Sequence, residues 1–270
     1  MSAREREHQQ WITSLCALAR AAGEASLVHY RDDLAVDRKA DFSPVTAADR
    51  AAHEVIARGL AQLAPRIPLL SEEGAHLPWS EREGWERYWL VDPLDGTREF
   101  IKRNGEFSVN IALIEGGAPV LGVVHAPVGG QMCWGVHGVG AYSREGGEDI
   151  ALRVRRPAEA PLRVMASRSH RHPKVDAMLA RMPATECDGL GSSLKFLRLA
   201  EGLADLYPRF GPTSEWDTAA GQAVLEAAGG AVLDLEGRPL AYNQREGLLN
   251  PDFIAVGDAS LPWKEWLDAA

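Results

Sequence analysis

Two aspartates three residues apart form the chemically most informative pattern in this sequence. Within WLVDPLDGTREF, Pro93 ends an apolar strand, so Asp92 lies at the carboxyl end of the strand and Asp95 opens the turn that follows. Two carboxylates this close repel each other unless a cation neutralises them, and a cluster of oxygen ligands suits hard ions such as Mg2+. The pattern therefore predicts a metal site.

Two further acids favour this metal site over a simpler interpretation, since an isolated DxxD pair more often caps a helix. Glu72 follows the apolar segment IPLLS, and Asp217 lies at the start of the helical pattern EWDTAAGQAVLEA. Acids at strand ends and helix starts can be directed at one crevice. We therefore expect the four carboxylates to lie together.

The turn after Asp95 also predicts a place for an anion. Gly96 and Thr97 open a helix, and the first N–H groups of a helix are free to bind a phosphate. Asp49 begins another helix, where Thr46 makes a capping box the better interpretation from the residues alone.

Apolar patterns around these residues predict a mixed α/β (α+β) fold. Three-to-four spacing predicts a helix from Trp11 to Tyr30, and short apolar runs separated by glycine turns predict antiparallel hairpins over residues 107–143. We interpret Gly135, Gly138 and Gly140 as turn residues. Strand and helix patterns alternate after residue 156, so we expect an N-terminal α+β part over 1–155, with most metal ligands, and a C-terminal α/β part over 156–270, with Asp217 and substrate contacts.

Composition excludes several classes of function. The 270 residues include 38 acidic and 29 basic side chains, and the resulting charge of -9 argues against a nucleic-acid partner. Neither a secretory signal nor an apolar run of membrane-spanning length is visible, so we expect a cytoplasmic protein without an integral membrane segment. The three cysteines show no zinc-binding spacing and are expected to be reduced thiols.

The motifs SEEG, WLVDPLDGT and WDTAAGQAVLEAAGG resemble the three signatures of the inositol monophosphatase superfamily of metal-dependent phosphatases. The longer segments DPLDGTREFIKRNGEFSVNIALI and GSSLKFLRLAEGLADLYPRFGPTSEWDTAAG more narrowly resemble the 3'(2'),5'-bisphosphate nucleotidases of CysQ type. The similarity runs from about Ser43 to Asn250. It implies a layered αβαβα sandwich of the inositol monophosphatase/fructose-1,6-bisphosphatase type.

The resemblance also implies a reaction. The expected activity is magnesium-dependent hydrolysis of the 3'-phosphate of adenosine 3',5'-bisphosphate to AMP and phosphate, in sulfate assimilation, with the sulfated analogue as a further candidate substrate. Two or three Mg2+ ions per site are expected. Their implied ligands are Glu72, Asp92, the backbone carbonyl of Leu94, Asp95 and Asp217. The implied catalytic group consists of Glu72, which holds the attacking water, and of Asp49 with Thr97, which orient and deprotonate it.

A second phosphate on the substrate requires cations away from the metal ions. The candidates in the sequence are Lys102, Arg103, Lys195 and Arg209. The nucleotidase pattern implies substrate contacts from Asp95, Gly96, Thr97, Ser167, His170, Gly191, Lys195 and Asp217.

Two alternatives remain open at this point. Related enzymes share the metal motifs, so an inositol monophosphatase or a sugar phosphatase is the nearest alternative. A catalytically silent sensor that binds metal or nucleotide is an alternative of another class, and a lost ligand would be its mark. The family also includes homodimers and proteins on the cytoplasmic face of the inner membrane, so both properties are open for this chain.

Overall fold

The computed structural model describes residues 1–30, 36–38, 44–74, 77–169 and 172–267. The α-helices in these residues are Ala3–Leu27 (α1), Ala47–Leu63 (α2), Trp79–Arg82 (α3), Thr97–Lys102 (α4), Pro173–Leu179 (α5), Leu194–Ala200 (α6) and Glu215–Ala227 (α7). Two short 3-10 helices cover Glu72–Gly74 and Trp263–Trp266.

The strands form one small ribbon and two large sheets. The ribbon pairs Val36–Arg38 (β1) with Pro44–Thr46 (β2). The first large sheet contains Leu69–Ser71 (β3), Arg87–Asp95 (β4), Ser108–Glu115 (β5), Ala118–His125 (β6), Met132–Val136 (β7), Gly140–Glu145 (β8) and Glu148–Leu152 (β9). The second contains Leu162–Ser167 (β10), Thr185–Leu190 (β11), Leu206–Arg209 (β12), Ala231–Asp234 (β13) and Phe253–Val256 (β14).

The two large sheets differ in topology. The seven-stranded sheet has the order β3-β4-β5-β6-β7-β8-β9, in which β3 is parallel to β4 and all later neighbours are antiparallel. The five-stranded sheet has the order β11-β10-β12-β14-β13, with β10 parallel to both of its neighbours. The hairpins predicted over residues 107–143 are therefore confirmed.

Helices cover the sheets in layers. The apolar faces of α1 and α2 pack on one face of the seven-stranded sheet, in a core that includes Ile12, Ile56 and Trp89. Helices α6 and α7 lie between the two sheets, and α5 with the second 3-10 helix covers the outer face of the five-stranded sheet. This order confirms the predicted αβαβα sandwich.

Helix α7 approaches the seven-stranded sheet closely because glycines face it. A Cβ atom on Gly122 would meet the backbone oxygen of Ala220, and one on Gly135 would lie 2.7 Å from Cα of Val224. Gly135 therefore belongs to β7, and its interpretation as a turn residue is wrong. Gly138 lies in the turn that follows, with φ of 76°, whereas Gly140 is the first residue of β8, so its interpretation as a turn residue is also wrong.

Helix α1 begins earlier than its apolar pattern indicates. The side chain of Ser2 accepts a hydrogen bond from the backbone N–H of Glu5, whose carboxylate accepts one from the Ser2 N–H, so a capping box starts the helix in a polar segment. The capping hydrogen bonds stabilise the first turns of this helix, which have no apolar periodicity. The expected start at Trp11 is therefore wrong.

The expected division into 1–155 and 156–270 falls between β9 and β10, where the chain passes from one sheet to the other. It stays a prediction, because α7 packs against strands of both sheets. Among the helices in the described part of the chain, none is both long enough and apolar enough to cross a bilayer.

Candidate metal and phosphate site

The ends of two parallel strands bring the first acids together. Ser71 ends β3 and pairs in parallel with Val91 on β4, so Glu72 and Asp92 are the next residues along two neighbouring chain segments. Strand β4 continues through Pro93 to Asp95, so the expectation that Pro93 ends this strand is wrong. The ladder between β4 and β5 shifts register between Asp92 and Asp95, which turns Asp95 towards these two acids. The pairing of the backbone in this sheet therefore brings the predicted acids together.

Helix α7 adds an acid from the other side of the site. Carboxylate oxygens of Asp92, Asp95 and Asp217 lie within 4.8 Å of one another. Burial raises the pKa of Asp92 and Asp217 well above its usual range, and the nearby charges of Glu72 and Asp95 raise it further. Burial also raises the pKa of Asp95. Such a cluster of hard oxygen donors fits a divalent cation, which would relieve the repulsion.

The carboxylates of Asp92 and Asp217 are each held by the backbone near them. Oδ1 of Asp92 accepts a hydrogen bond of 3.0 Å from the N–H of Leu94, within a buried strand end. Oδ2 of Asp217 accepts one of 2.9 Å from the N–H of Ser214, the N-cap residue of α7. These local bonds fix the side chains with little loss of entropy when a ligand binds.

Asp95 is held by a different part of the chain. Its Oδ2 atom accepts hydrogen bonds from the Ser193 backbone N–H at 2.6 Å and from the Ser193 hydroxyl at 2.8 Å. The amide of Asn110 donates to the same oxygen at 3.4 Å. Asp95 is thereby attached to the segment that opens α6.

Asp49 and Thr97 meet beside these acids. The hydroxyl of Thr97 donates a hydrogen bond of 3.3 Å to Oδ1 of Asp49, which is 2% exposed in the first turn of α2. Gly96 precedes Thr97 with φ of 91°, and a Cβ atom there would lie 3.0 Å from the backbone oxygen of Glu106. The turn therefore requires glycine both for its dihedral angles and for space.

One cavity of about 270 Å³ collects most of the residues expected from the sequence. Its lining includes Glu72, Asp92, Leu94, Asp95, Gly96, Thr97, Ser167, Gly191, Lys195 and Asp217. Asp49 is connected to the cavity by the hydrogen bond that it accepts from Thr97. His170 lies outside the described residues.

The cations expected from the sequence divide into two groups. Lys195 and Arg209 line the cavity, whereas Lys102 donates to the hydroxyl of Ser169 at 3.0 Å. Burial lowers the pKa of Lys195 to about 8, and its ammonium group donates to the backbone oxygens of Leu190 and Ser192. The cavity thus combines acids and cations in one space.

Sequence reasoning missed several residues of the site. Arg98 also lines the cavity, and its only signal was its position inside the DGTREF segment. Ser193 and Asn110 are polar residues in apolar surroundings, 83 positions apart, yet they bond to each other at 2.8 Å. A pair joined by the tertiary fold leaves no local pattern in the sequence.

The chain resembles known proteins over most of its length. Residues 7–264 match the inositol monophosphatase family. The chain is 53% identical over 244 residues to a protein of Shigella flexneri named 3'(2'),5'-bisphosphate nucleotidase CysQ, an alignment that covers 90% of this chain and 98% of the relative.

Solved structures agree with this match. The crystal structure of CysQ from Bacteroides thetaiotaomicron, described as a bacterial member of the inositol monophosphatase family, has a TM-score of 0.79 at 41% identity. That comparison covers 90% of this chain and 96% of the other. An inositol monophosphatase from Zymomonas mobilis has a TM-score of 0.77 at 28% identity, over 98% and 99% of the two chains.

Proposed function

Because the chain belongs to the inositol monophosphatase family, we propose that it is a magnesium-dependent phosphatase that removes the 3'-phosphate of adenosine 3',5'-bisphosphate. The products are AMP and inorganic phosphate, and the reaction belongs to sulfate assimilation. The relative from Shigella flexneri carries the name of this nucleotidase at 53% identity. The sulfated analogue of the nucleotide is a second substrate of the same chemistry.

The observation that carries the proposal is the cluster of three carboxylates within 4.8 Å in a cavity that also holds Lys195 and Arg209. Acids alone would repel a phosphorylated nucleotide, and cations alone would bind it without activating it. A cavity with both suits a substrate that bears one phosphate to be cleaved and a second one to be recognised.

Glu72, Asp92, Asp95, Asp217 and the carbonyl of Leu94 would hold Mg2+. The bound ions supply Lewis-acid polarisation of the phosphate oxygens and a lower pKa for water. The number of ions, two or three, belongs to this proposal. The protein itself contributes a rigid set of oxygen atoms, because Asp92, Asp95 and Asp217 are each fixed by hydrogen bonds from backbone N–H groups.

The attacking water would be oriented and deprotonated by Thr97, Asp49 and Glu72. The Thr97 hydroxyl donates to Asp49, so its oxygen lone pairs are free to accept a proton from water while Asp49 accepts the Thr97 proton. Glu72 would hold the water in line with the bond to be broken. A bond forms between the water oxygen and phosphorus as the bond to the ribose oxygen breaks, and that oxygen leaves with a proton from solvent.

The remaining contacts would bind the substrate. Gly96 and Thr97 line the cavity, and their backbone N–H groups would bind the phosphate that is cleaved. Ser167, Gly191 and Lys195 would contact the nucleotide, together with His170. Arg209 is held by the backbone oxygen of Pro212 at 2.7 Å and would face the second phosphate.

The test is phosphate release from adenosine 3',5'-bisphosphate, inositol 1-phosphate and fructose 1,6-bisphosphate, each with Mg2+ and with excess chelator. We expect Mg2+-dependent release with preference for the nucleotide. Preference for the inositol or sugar phosphate would overturn the substrate and keep the metal chemistry. Binding of Mg2+ and nucleotide without release from any substrate would favour the silent sensor.

The homodimer and the cytoplasmic location expected from the sequence stay predictions. Sedimentation of the purified protein would test the first, and fractionation of cells would test the second and would also detect peripheral attachment to a membrane.

A further inference from the structure

We propose that Ser193 and Asn110 act as a pair of positioning residues that set Asp95 for metal binding and attach it to the start of α7. The inference rests on the proposed function, because it assigns Asp95 to the metal. Both residues lie in segments that resemble the nucleotidases, but no role was expected for the side chain of either one.

The two oxygens of the Asp95 carboxylate have different surroundings. Three donors reach Oδ2, namely the N–H of Ser193 at 2.6 Å, the hydroxyl of Ser193 at 2.8 Å and the amide of Asn110 at 3.4 Å. A carboxylate whose one oxygen is fully engaged presents its other oxygen, Oδ1, to a cation. The donors thereby select both the rotamer and the oxygen that binds.

Ser193 also links Asp95 to α7. The hydroxyl oxygen of Ser193 also lies 2.6 Å from the backbone oxygen of Asp217. A hydroxyl carries one proton, so it donates to the Asp95 carboxylate or to the Asp217 carbonyl at any one time. Ser193 therefore lies between two ligands that belong to β4 and to α7, and it fixes their separation.

Asn110 orients the hydroxyl of Ser193. Its amide nitrogen donates to the Ser193 hydroxyl at 2.8 Å, and its amide oxygen accepts from the Ser108 hydroxyl at 3.2 Å. The bond from Ser108 orients the amide so that its NH2 group faces Ser193. All three residues are 0–1% exposed, so water cannot replace a lost donor without entering the core.

Loss of these donors should weaken the binding of Mg2+ and should affect substrate binding little. Partners that orient metal ligands typically contribute about 10–100-fold to affinity or activity. We expect Ser193→Ala to weaken Mg2+ binding by about 10–100-fold, measured by titration calorimetry without substrate. The Mg2+ concentration that gives half-maximal activity should rise with it, whereas KM for the nucleotide at saturating Mg2+ should change little.

Three further variants separate positioning from folding. Asn110→Ala removes the bond that orients the Ser193 hydroxyl as well as the contact of 3.4 Å to Asp95, so the double variant should lose less Mg2+ affinity than the sum of the two single losses. Ser193→Thr keeps the hydroxyl and should restore most of the affinity. Ser26→Ala removes another buried serine hydroxyl, which bonds to the backbone oxygen of Gly23 in α1, and should leave Mg2+ affinity unchanged.

The outcomes distinguish this inference from the proposed function. Unchanged Mg2+ affinity in Ser193→Ala would overturn the inference while nucleotide hydrolysis by the unmodified protein stands. Additive losses in the double variant would overturn the coupling between the two residues. If Ser193→Ala does not fold, Asn110→Ala and Ser193→Thr carry the same comparison. Failure of the unmodified protein to bind Mg2+ and to release phosphate would overturn the proposed function instead.

Discussion

Hydrogen bonds divide the acids of the cavity by role. Asp92, Asp95 and Asp217 each accept a bond from a backbone N–H group, and Asp95 accepts another from the Ser193 hydroxyl. Asp49 accepts a bond from the hydroxyl of Thr97, the group proposed to take a proton from water. A metal ligand must keep a fixed position, whereas a general base must accept a proton and release it again. The contacts of each acid therefore support the division into metal ligands and a proton acceptor.

The Thr97 hydroxyl carries the proton transfer, which gives a prediction at the scale of one residue. Thr97→Val keeps the shape of the side chain and removes the hydroxyl that bonds to Asp49. We expect kcat to fall by about 100-fold or more, because general acid–base contributions are typically 10²–10⁴-fold. Mg2+ affinity, measured by calorimetry, should stay the same because the metal ligands are untouched.

Thr97→Ser is the matched control for this variant. Serine retains the hydroxyl, so most of kcat should remain. A serine variant that loses as much activity as the valine variant would contradict the assignment of the effect to the hydroxyl.

Residue types revealed part of the site before the structure did. Asp92, Asp95 and Asp217 could be predicted because each follows or opens an apolar pattern, and local pattern decides where a strand or helix ends. Ser193 and Asn110 could not, since their bond depends on how β5 packs beside α6. Non-local pairs of polar residues are fixed by tertiary packing, which one sequence does not display.

At the scale of elements, glycine sets how closely α7 approaches the seven-stranded sheet. A Cβ atom on Gly122 would meet the backbone oxygen of Ala220 and would lie 2.8 Å from Cβ of Ala223. Backbone of a buried helix cannot move aside cheaply. We expect Gly122→Ala to lower the free energy of unfolding by about 1–3 kcal/mol, the usual range for overpacking.

Gly59→Ala in α2 is the matched control. Its Cβ atom would meet Cδ1 of Leu18 and would lie 2.9 Å from Cδ2, both at the far end of a flexible, partly buried side chain. That side chain can rotate, and alanine stabilises a helix by about 1 kcal/mol relative to glycine. Denaturant unfolding should show little loss or a gain for Gly59→Ala, and an equal loss in both variants would contradict the distinction between backbone and side-chain contacts.

Elements also differ in how visible they are in the sequence. The helix of α7 and the hairpins of β5 to β8 follow clear periodicities, and both were predicted. Strand β9 is mostly exposed and β11 carries acidic residues and a glycine, so neither shows the alternation that predicts a strand. These strands exist because a neighbouring strand offers hydrogen bonds.

At the scale of the whole molecule, buried carboxyl groups make stability depend on pH. Burial raises the pKa of Glu226 to about 7 from its model-peptide value of 4.5. Between these values the folded protein holds a proton that the unfolded chain releases, so the free energy of unfolding falls as pH rises through this window. Glu215, whose pKa burial also raises to about 7, adds to the same trend.

Glu226→Gln tests this dependence. Glutamine stays neutral and can still accept the hydrogen bond from Gln222. We expect the variant to be more stable than the unmodified protein at pH 8 by about 1–3 kcal/mol, with little difference at pH 4.5. Glu236→Gln, at an exposed position, should leave the pH dependence unchanged in the same denaturant titrations. A parallel shift at every pH would assign the gain to packing instead.

A bound metal ion would connect the seven-stranded sheet to the helix that lies between the sheets. Asp92 and Asp95 are at the end of β4 in that sheet, and Asp217 is in α7. A ligand that binds the folded state raises its stability by about 2.7 kcal/mol at one hundred times its dissociation constant. Mg2+ should therefore raise the melting temperature in a concentration-dependent way. The gain should grow from pH 5 to pH 8, because the raised pKa values of these acids keep them protonated at low pH and protonated carboxyls do not bind metal.

Asp95→Asn distinguishes the effect of the Asp95 charge on metal binding from any effect of this side chain on folding. The amide keeps the size of the side chain but removes one of the like charges within the 4.8 Å cluster. Without metal the variant should melt at a higher temperature than the unmodified protein, because the repulsion is smaller, and Mg2+ should raise its melting temperature much less. A variant that melts lower with chelator and responds fully to Mg2+ would show that Asp95 supports the fold and does not bind the metal.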